Sequence, residues 1–248
     1  MRRHRSHQTG RLSKNRQYEQ IEASIQSKLI GYWPMQETQG TRYDVGGHGL
    51  HLTDVNTVTY DAGQGNFPIC AQFTSAAAER LMIADTDILR WQKPRSMCGW
   101  VKFKTNADFV IVCKYDGLDY KLSWLFTLED SPNSFRFYNY NTAGILLYDS
   151  QFGVPPMNTW IFTAFGITND DSKMWISTNA RTWNTTAHTN GYAAAPGGYG
   201  DTANVTFGAY GAGVQPLNGY LAEWRLFDRS LEFCELSYLY NQGLGKLI

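Results

Sequence analysis

The first groups in this 248-residue chain that chemistry could use are its closely spaced acids. Cleaving a glycosidic bond takes two carboxylates flanking it, about 5–5.5 Å apart when the configuration is retained. On one strand that means acids two residues apart on one face. The nearest sets are Glu129-Asp130, Asp170-Asp171 and Asp85-Thr86-Asp87. The first two are neighbours in turn settings, so their side chains diverge. The third follows a strand end and reads as a solvated turn. Among the five histidines, His4 and His7 lie in a basic N-terminal segment and His188 in a long loop. His48 and His51 share a glycine-rich turn with Asp44 and Asp54 nearby. A metal needs convergent ligands and a second shell behind them. Here Gly46, Gly47 and Gly49 would let the turn fold inward, with Asp44 as the weak candidate ligand and an exposed turn as the simpler reading. The sequence holds no Ser-His-Asp setting, phosphate loop or nucleotide fingerprint. The chain reads as non-enzymatic.

The elements around these residues are strands. From Tyr220 to Phe227 apolar and polar residues alternate, with Tyr220, Ala222, Trp224 and Leu226 on the side expected to face the core and Arg225 pointing out. Trp124, Phe126 and Leu128 share one face of another strand, and Phe135 and Phe137 oppose Arg136, Tyr138 and Tyr140. Residues 160–167 are apolar on both faces, as in a central strand. Asn169-Asp170-Asp171-Ser172 is a turn, and Lys173–Ser177 pairs back as a hairpin. Residues 184–201 form a Gly/Ala/Asn-rich loop. After Leu231, the stripe Phe233, Leu236, Leu239-Tyr240 predicts a short helix with Gly243 at its C-terminal cap.

Charge is unevenly spread. Seven of the 22 Lys/Arg but only two of the 22 Asp/Glu fall in residues 1–28, giving a net of +5 there and −5 over the rest. Arg2, Arg3, Arg5, Arg11, Lys14 and Arg16 make this a basic arm on an acidic body. Tyr18, Ile21, Ile25 and Leu29 recur three or four apart, which predicts a short amphipathic helix. Twelve residues do not hold a helix alone in water, so it must dock on its own sandwich or on a neighbouring subunit. No apolar run reaches the ~18 residues of a membrane span. Without the apolar core of an export signal, the chain is expected to be made in the cytoplasm and to leave, if at all, by a route such as lysis. The cysteines Cys70, Cys98, Cys113 and Cys234 are widely spaced and expected to be free.

Three stretches carry a family likeness: LNGYLAEWRLFDRSLEFCELSYLYNQG (Leu217–Gly243), LIGYWPMQETQGTRYDVGGHGLHL (Leu29–Leu52), and SMCGWVKFK (Ser96–Lys104) followed by VIVCKYDG and NTWIFTAFGIT. In this order they resemble the laminin-G-like (concanavalin A-like) jelly rolls. The resemblance covers roughly residues 29–248. It implies an all-β, two-sheet antiparallel sandwich over that span, with residues 1–28 as an arm and a short C-terminal helix. Many relatives of this kind hold calcium with an Asp of the first turn and the Asp of a closing D-E pair. Asp44 matches the first, but Ala222 stands at the second beside Glu223, which removes an oxygen ligand that calcium prefers. Calcium is thereby disfavoured, with backbone carbonyls as the groups that could compensate, and no cofactor is expected.

The family also implies binding surfaces. Tyr138, Tyr140, Trp175, Tyr192 and Tyr199 are candidates for a glycan platform, against core packing for any one of them. Compact single-domain members look similar to bacteriophage virion proteins. The resulting expectation is a decoration or attachment subunit, present in multiple copies. Residues 1–28 would dock on capsid or tail proteins, with Ile21 and Ile25 buried against the partner, and the loops would face cell-surface glycans. A free carbohydrate-binding module is the first alternative. A nucleic-acid-binding arm is the second, weakened because Tyr18 is the arm's one aromatic residue.

Overall fold

Runs of alternating β-branched and aromatic residues bury one face each, and two such sheets stacked face to face are the stable solution. The computed structural model describes residues 16–90, 95–115, 123–130, 134–140, 146–167, 172–177, 184–188 and 202–243. Residues 16–26 are helical (α1). The strands follow in order: β1 (Leu29–Trp33), β2 (Thr53–Val55), β3 (Thr59–Gln64), β4 (Phe67–Phe73), β5 (Arg80–Ile83), β6 (Arg95–Phe103), β7 (Phe109–Lys114) and β8 (Trp124–Glu129). Then come β9 (Ser134–Tyr140), β10 (Leu146–Gly153), β11 (Ile161–Ile167), β12 (Ser172–Ser177), β13 (Asn184–His188), β14 (Val205–Phe207) and β15 (Gly219–Phe227), with helix α2 (Phe233–Gly243) last.

The strands form two antiparallel sheets, as the family resemblance implied; Asn184–His188 is a strand paired with β12 rather than the start of the expected loop. One has eight strands in the order β13-β12-β11-β6-β15-β4-β3, with β1 also paired to β15. The other has seven, in the order β10-β9-β8-β7-β14-β5-β2. Trp33, Trp124, Phe126, Phe165, Phe207 and Trp224 meet between them in the main core. A second apolar cluster lies on the outer face of the eight-stranded sheet, where Phe67, Cys98, Trp100, Phe162 and Tyr220 are covered by Ile25 of α1 and by Leu236, Leu239 and Tyr240 of α2.

β15 departs from simple alternation. Its register on β6 slips between Ala222 and Arg225, and Glu223 takes a left-handed φ of 57°. The extra residue of such a bulge reverses the faces beyond it. Leu221, Trp224 and Leu226 therefore enter the main core, whereas Tyr220, Ala222 and Phe227 lie on the helix-covered face. This corrects the expectation that Tyr220 and Ala222 share a face with Trp224. Arg225 is not a solvent residue either: it is buried, donates to Glu223 Oε2 at 2.9 Å and stacks over Tyr32 at 3.9 Å. Gly99 lies under the bulge, and a Cβ there would come within 2.5 Å of the Trp224 ring, so the strand needs glycine at the crossing.

The apolar stripe of α1 docks on its own chain. Ile25 is buried and Ile21 packs beside it in the second cluster. Arg229 donates to the Ser24 carbonyl at 3.2 Å and pairs with Glu235 of α2 at 2.5 Å, tying the two helices together. Ile21 and Ile25 are thus occupied within the chain, which corrects their assignment to a partner. In α2, Tyr238 is buried in the second cluster, whereas Phe233, expected on the inward stripe, is 53% exposed.

Candidate functional site

The outer face of the seven-stranded sheet is built differently from its counterpart, since α1 and α2 both lie on the other sheet. In register across four strands stand Thr206, Cys113, Leu125 and Tyr138; beside them run Val110, Thr127, Arg136 and Gln151. The small apolar patch of Val110, Cys113 and Leu125 is roofed by half-buried Tyr115, Tyr138 and Tyr210. The Tyr138 and Tyr140 rings lie 6.2 Å apart, and Tyr115 meets Tyr210 edge-on at 4.9 Å.

Polar groups fix this shelf. The Tyr138 hydroxyl donates to Glu129 Oε1 at 2.7 Å, and Arg136 Nη1 donates to Glu129 Oε2 at 2.9 Å. The Arg136 guanidinium also stacks over the Tyr138 ring at 4.5 Å. Burial pushes the Tyr210 hydroxyl well above the ordinary phenol range, with Cys113, Tyr115, Glu129 and Tyr140 adding to the effect. The phenol therefore stays neutral and able to donate. Such a surface offers rigid aromatic area together with hydroxyl, guanidinium and carboxylate groups, the combination that holds a flat polar ligand.

Tyr138 and Tyr140 come together as the alternation of β9 predicted. Trp175 does not join them. It pairs with Ala164 on β11, and both face the helix-covered cluster, so Trp175 is buried on the opposite sheet. Tyr192 and Tyr199 lie outside the described residues, as do Arg2, Arg3, Arg5, Arg11 and Lys14. Arg16 is exposed on α1. Tyr115 and Tyr210 were missed by sequence reasoning. Tyr115 keeps the phase of outward Cys113, a signal that extending the strand pattern by one step would have used.

Asp44 is a loop organiser. Its carboxylate accepts backbone N–H groups from Tyr32 (2.9 Å), Gly46 (2.7 Å), His48 (3.1 Å) and Leu50 (3.0 Å). His51 Nδ1 accepts the Asp44 N–H at 3.1 Å, and Asp54 accepts from Val58 at 2.8 Å. These donors take up the oxygens that a cation would need. Among the described residues no group of three or more His, Cys, Asp or Glu could hold a metal. Asp85 bonds to buried Lys114 at 2.5 Å and to Arg90 at 2.5 Å, whereas Asp87 is an exposed partner of Arg90. The two are thus engaged separately and do not flank a bond.

No protein-family model matches the chain, and no curated protein does either. Solved structures do. The binding domain of Paraclostridial Mosquitocidal Protein 1 aligns with a TM-score of 0.66 at 12% identity over 88% of this chain and 53% of that one. A structure of botulinum neurotoxin type C, whose cell entry depends on interaction with two ganglioside molecules, aligns at 0.66 and 14% identity over 89% of this chain and 52% of that one. The ligand-binding domain of botulinum neurotoxin serotype D, in complex with N-acetylneuraminic acid, aligns at 0.66 and 10% identity over 90% and 52%. The chain spans about half the length of each of these structures. What they share with it is the fold, a two-sheet antiparallel β-sandwich.

Proposed function

We propose that this chain is a non-enzymatic, laminin-G-like adhesion module that binds glycans on the outer face of its seven-stranded sheet. One observation carries the reading: Tyr138 and Tyr140 stand side by side there, with Arg136 and Glu129 locked around Tyr138. Side chains already held by one another lose little freedom when a ligand arrives, which favours affinity. Support also comes from the sandwiches it resembles, among them one bound to N-acetylneuraminic acid and one described through gangliosides. The test is a glycan array followed by titration calorimetry. Tyr138→Ala with Tyr140→Ala should weaken the best ligand about tenfold or more while leaving the melting temperature within a few degrees. Unchanged affinity in that variant would remove the shelf from the function.

The same module is proposed to ride on a larger assembly, a phage-type virion, in multiple copies. The basic segment supports this part, because a net of +5 on residues 1–28 opposes −5 on the body. With Ile21 and Ile25 engaged in the chain's own core, docking falls to Arg2, Arg3, Arg5, Arg11, Lys14 and Arg16. Purely electrostatic docking is screened within ~8–10 Å at ordinary ionic strength. Co-purification with capsid or tail proteins should then fail for a chain beginning at residue 16 and weaken steeply with salt for the full chain. Preferential capture of DNA by the full chain would favour the nucleic-acid reading instead.

A further inference from the structure

The bulge in β15 sends Tyr220 to the outer face of the eight-stranded sheet, and there it meets two lysines. Lys102 Nζ lies over the Tyr220 ring at 4.3 Å and over the Trp160 ring at 5.2 Å. Lys104 Nζ lies over Tyr220 at 4.6 Å, and the two aromatic rings are 6.2 Å apart. Both lysines are half-buried, and neither ammonium has an ion pair or hydrogen bond among the described residues. Asp61 stands nearby and accepts the N–H of Ala62 at 2.7 Å. Its carboxyl is held below the ordinary range first by that N–H, then by the Tyr220 hydroxyl and the two ammoniums.

Two like charges over one ring repel each other, and each cation–π contact at such a site returns only about 0.5–1 kcal/mol. The aromatic floor nevertheless holds both side chains in place, and a free lysine carries roughly 2 kcal/mol of rotamer entropy. An oxygen anion seated between them would relieve the repulsion. It would also accept charge-assisted hydrogen bonds from groups already positioned. We infer that Lys102 and Lys104, set on Tyr220 and Trp160, form a second binding site, one that takes the sulfate or carboxylate of an acidic glycan. The site lies on the opposite sheet from Tyr138 and Tyr140 and does not depend on them.

The experiment titrates the full chain with a sulfated oligosaccharide, its desulfated counterpart, a uronic-acid oligosaccharide and inorganic sulfate. Binding of the sulfated or the uronic-acid ligand, with the desulfated one at least tenfold weaker, is expected. Lys102→Gln with Lys104→Gln should weaken the charged ligand about tenfold or more, and Lys102→Arg with Lys104→Arg should restore most of it. Restoration separates a charge site from a lost packing contact. The Tyr138→Ala, Tyr140→Ala variant should keep this binding in full, so failure of the aromatic shelf leaves the result intact. Inorganic sulfate should compete only at far higher concentration; competition at equal concentration would make the free anion the ligand and overturn the glycan assignment. Equal binding of sulfated and desulfated ligands, or full binding by the double Gln variant, would overturn the site.

Discussion

Trp224 shows how much can hang on one side chain. Fully buried, it touches Phe126 and Phe207, and its indole N–H donates to the Trp100 carbonyl at 3.2 Å. Truncating a buried aromatic costs about 3–5 kcal/mol, so Trp224→Ala should leave little folded protein. Gly99→Ala would press a methyl into the same ring, an overpacking of roughly 1–3 kcal/mol, and should lower the melting temperature without unfolding the chain. Arg225→Ala strips Glu223 of its buried cation and should also destabilise; a wild-type melt for that variant would contradict the bulge geometry. The thiols give an independent check. Burial pushes the Cys98 thiol up to about 12 and the Cys70 thiol up to about 11, and Cys113 is buried, whereas Cys234 is exposed. Alkylation of the native protein at pH 8 should therefore modify Cys234 first, and denaturant should release the other three.

Strands were legible at the level of elements, because a period of two in apolar residues has one physical cause, a half-buried sheet. The bulge at Glu223 was not. An inserted residue leaves the composition of LAEWRLF unchanged and shows only as a slip against β6, so the alternation placed Tyr220 and Ala222 on the wrong face, while Arg225 kept its face but is buried there. The partner of α1 was equally hidden: the Ile21/Ile25 stripe demands an apolar surface without naming whose. That surface includes Leu231 and Leu236 of the same chain. Ile25→Ala should consequently cost stability, about 2–5 kcal/mol if no collapse fills the gap, measurable by urea unfolding. Acid should loosen the same junction. Burial alone would raise the Glu235 carboxyl, yet Arg229, the Glu232 N–H and Ser24 outweigh it and hold it low. A carboxyl depressed in the folded state stabilises fully above its unfolded pKa, and that contribution is lost as pH falls through the folded one. The melting temperature should drop on acidification below the ordinary carboxylate range, and Glu235→Gln should flatten that drop while lowering stability at pH 7. An unchanged slope would remove Glu235 from the linkage.

For the whole molecule, the two-sheet sandwich was implied by the family resemblance of three stretches in order, but what each outer face does was not. Both sheets carry aromatics on their outer sides, Tyr138 and Tyr140 on one and Trp100 and Trp175 on the other. Only the packing of α1 and α2 decides which aromatics become core and which stay at the surface. Tyr138 and Tyr140 were found because nothing long-range overrode their parity; Trp175 was lost because two helices cover its side. The pairing of β1 with β15 has a further consequence, in time. Leu29 is held by Phe227, roughly 200 residues later, and Trp33 by Trp224. At ~5–20 residues per second of synthesis, β1 waits on the order of 10–40 seconds for β15, its one sheet neighbour among the described residues. Meanwhile the eight-stranded sheet lacks the strand that joins β1, β4 and β6. Refolding from denaturant should accordingly be slow, as long-range β pairing generally is, and the growing chain should be a client of chaperones until its last strand emerges.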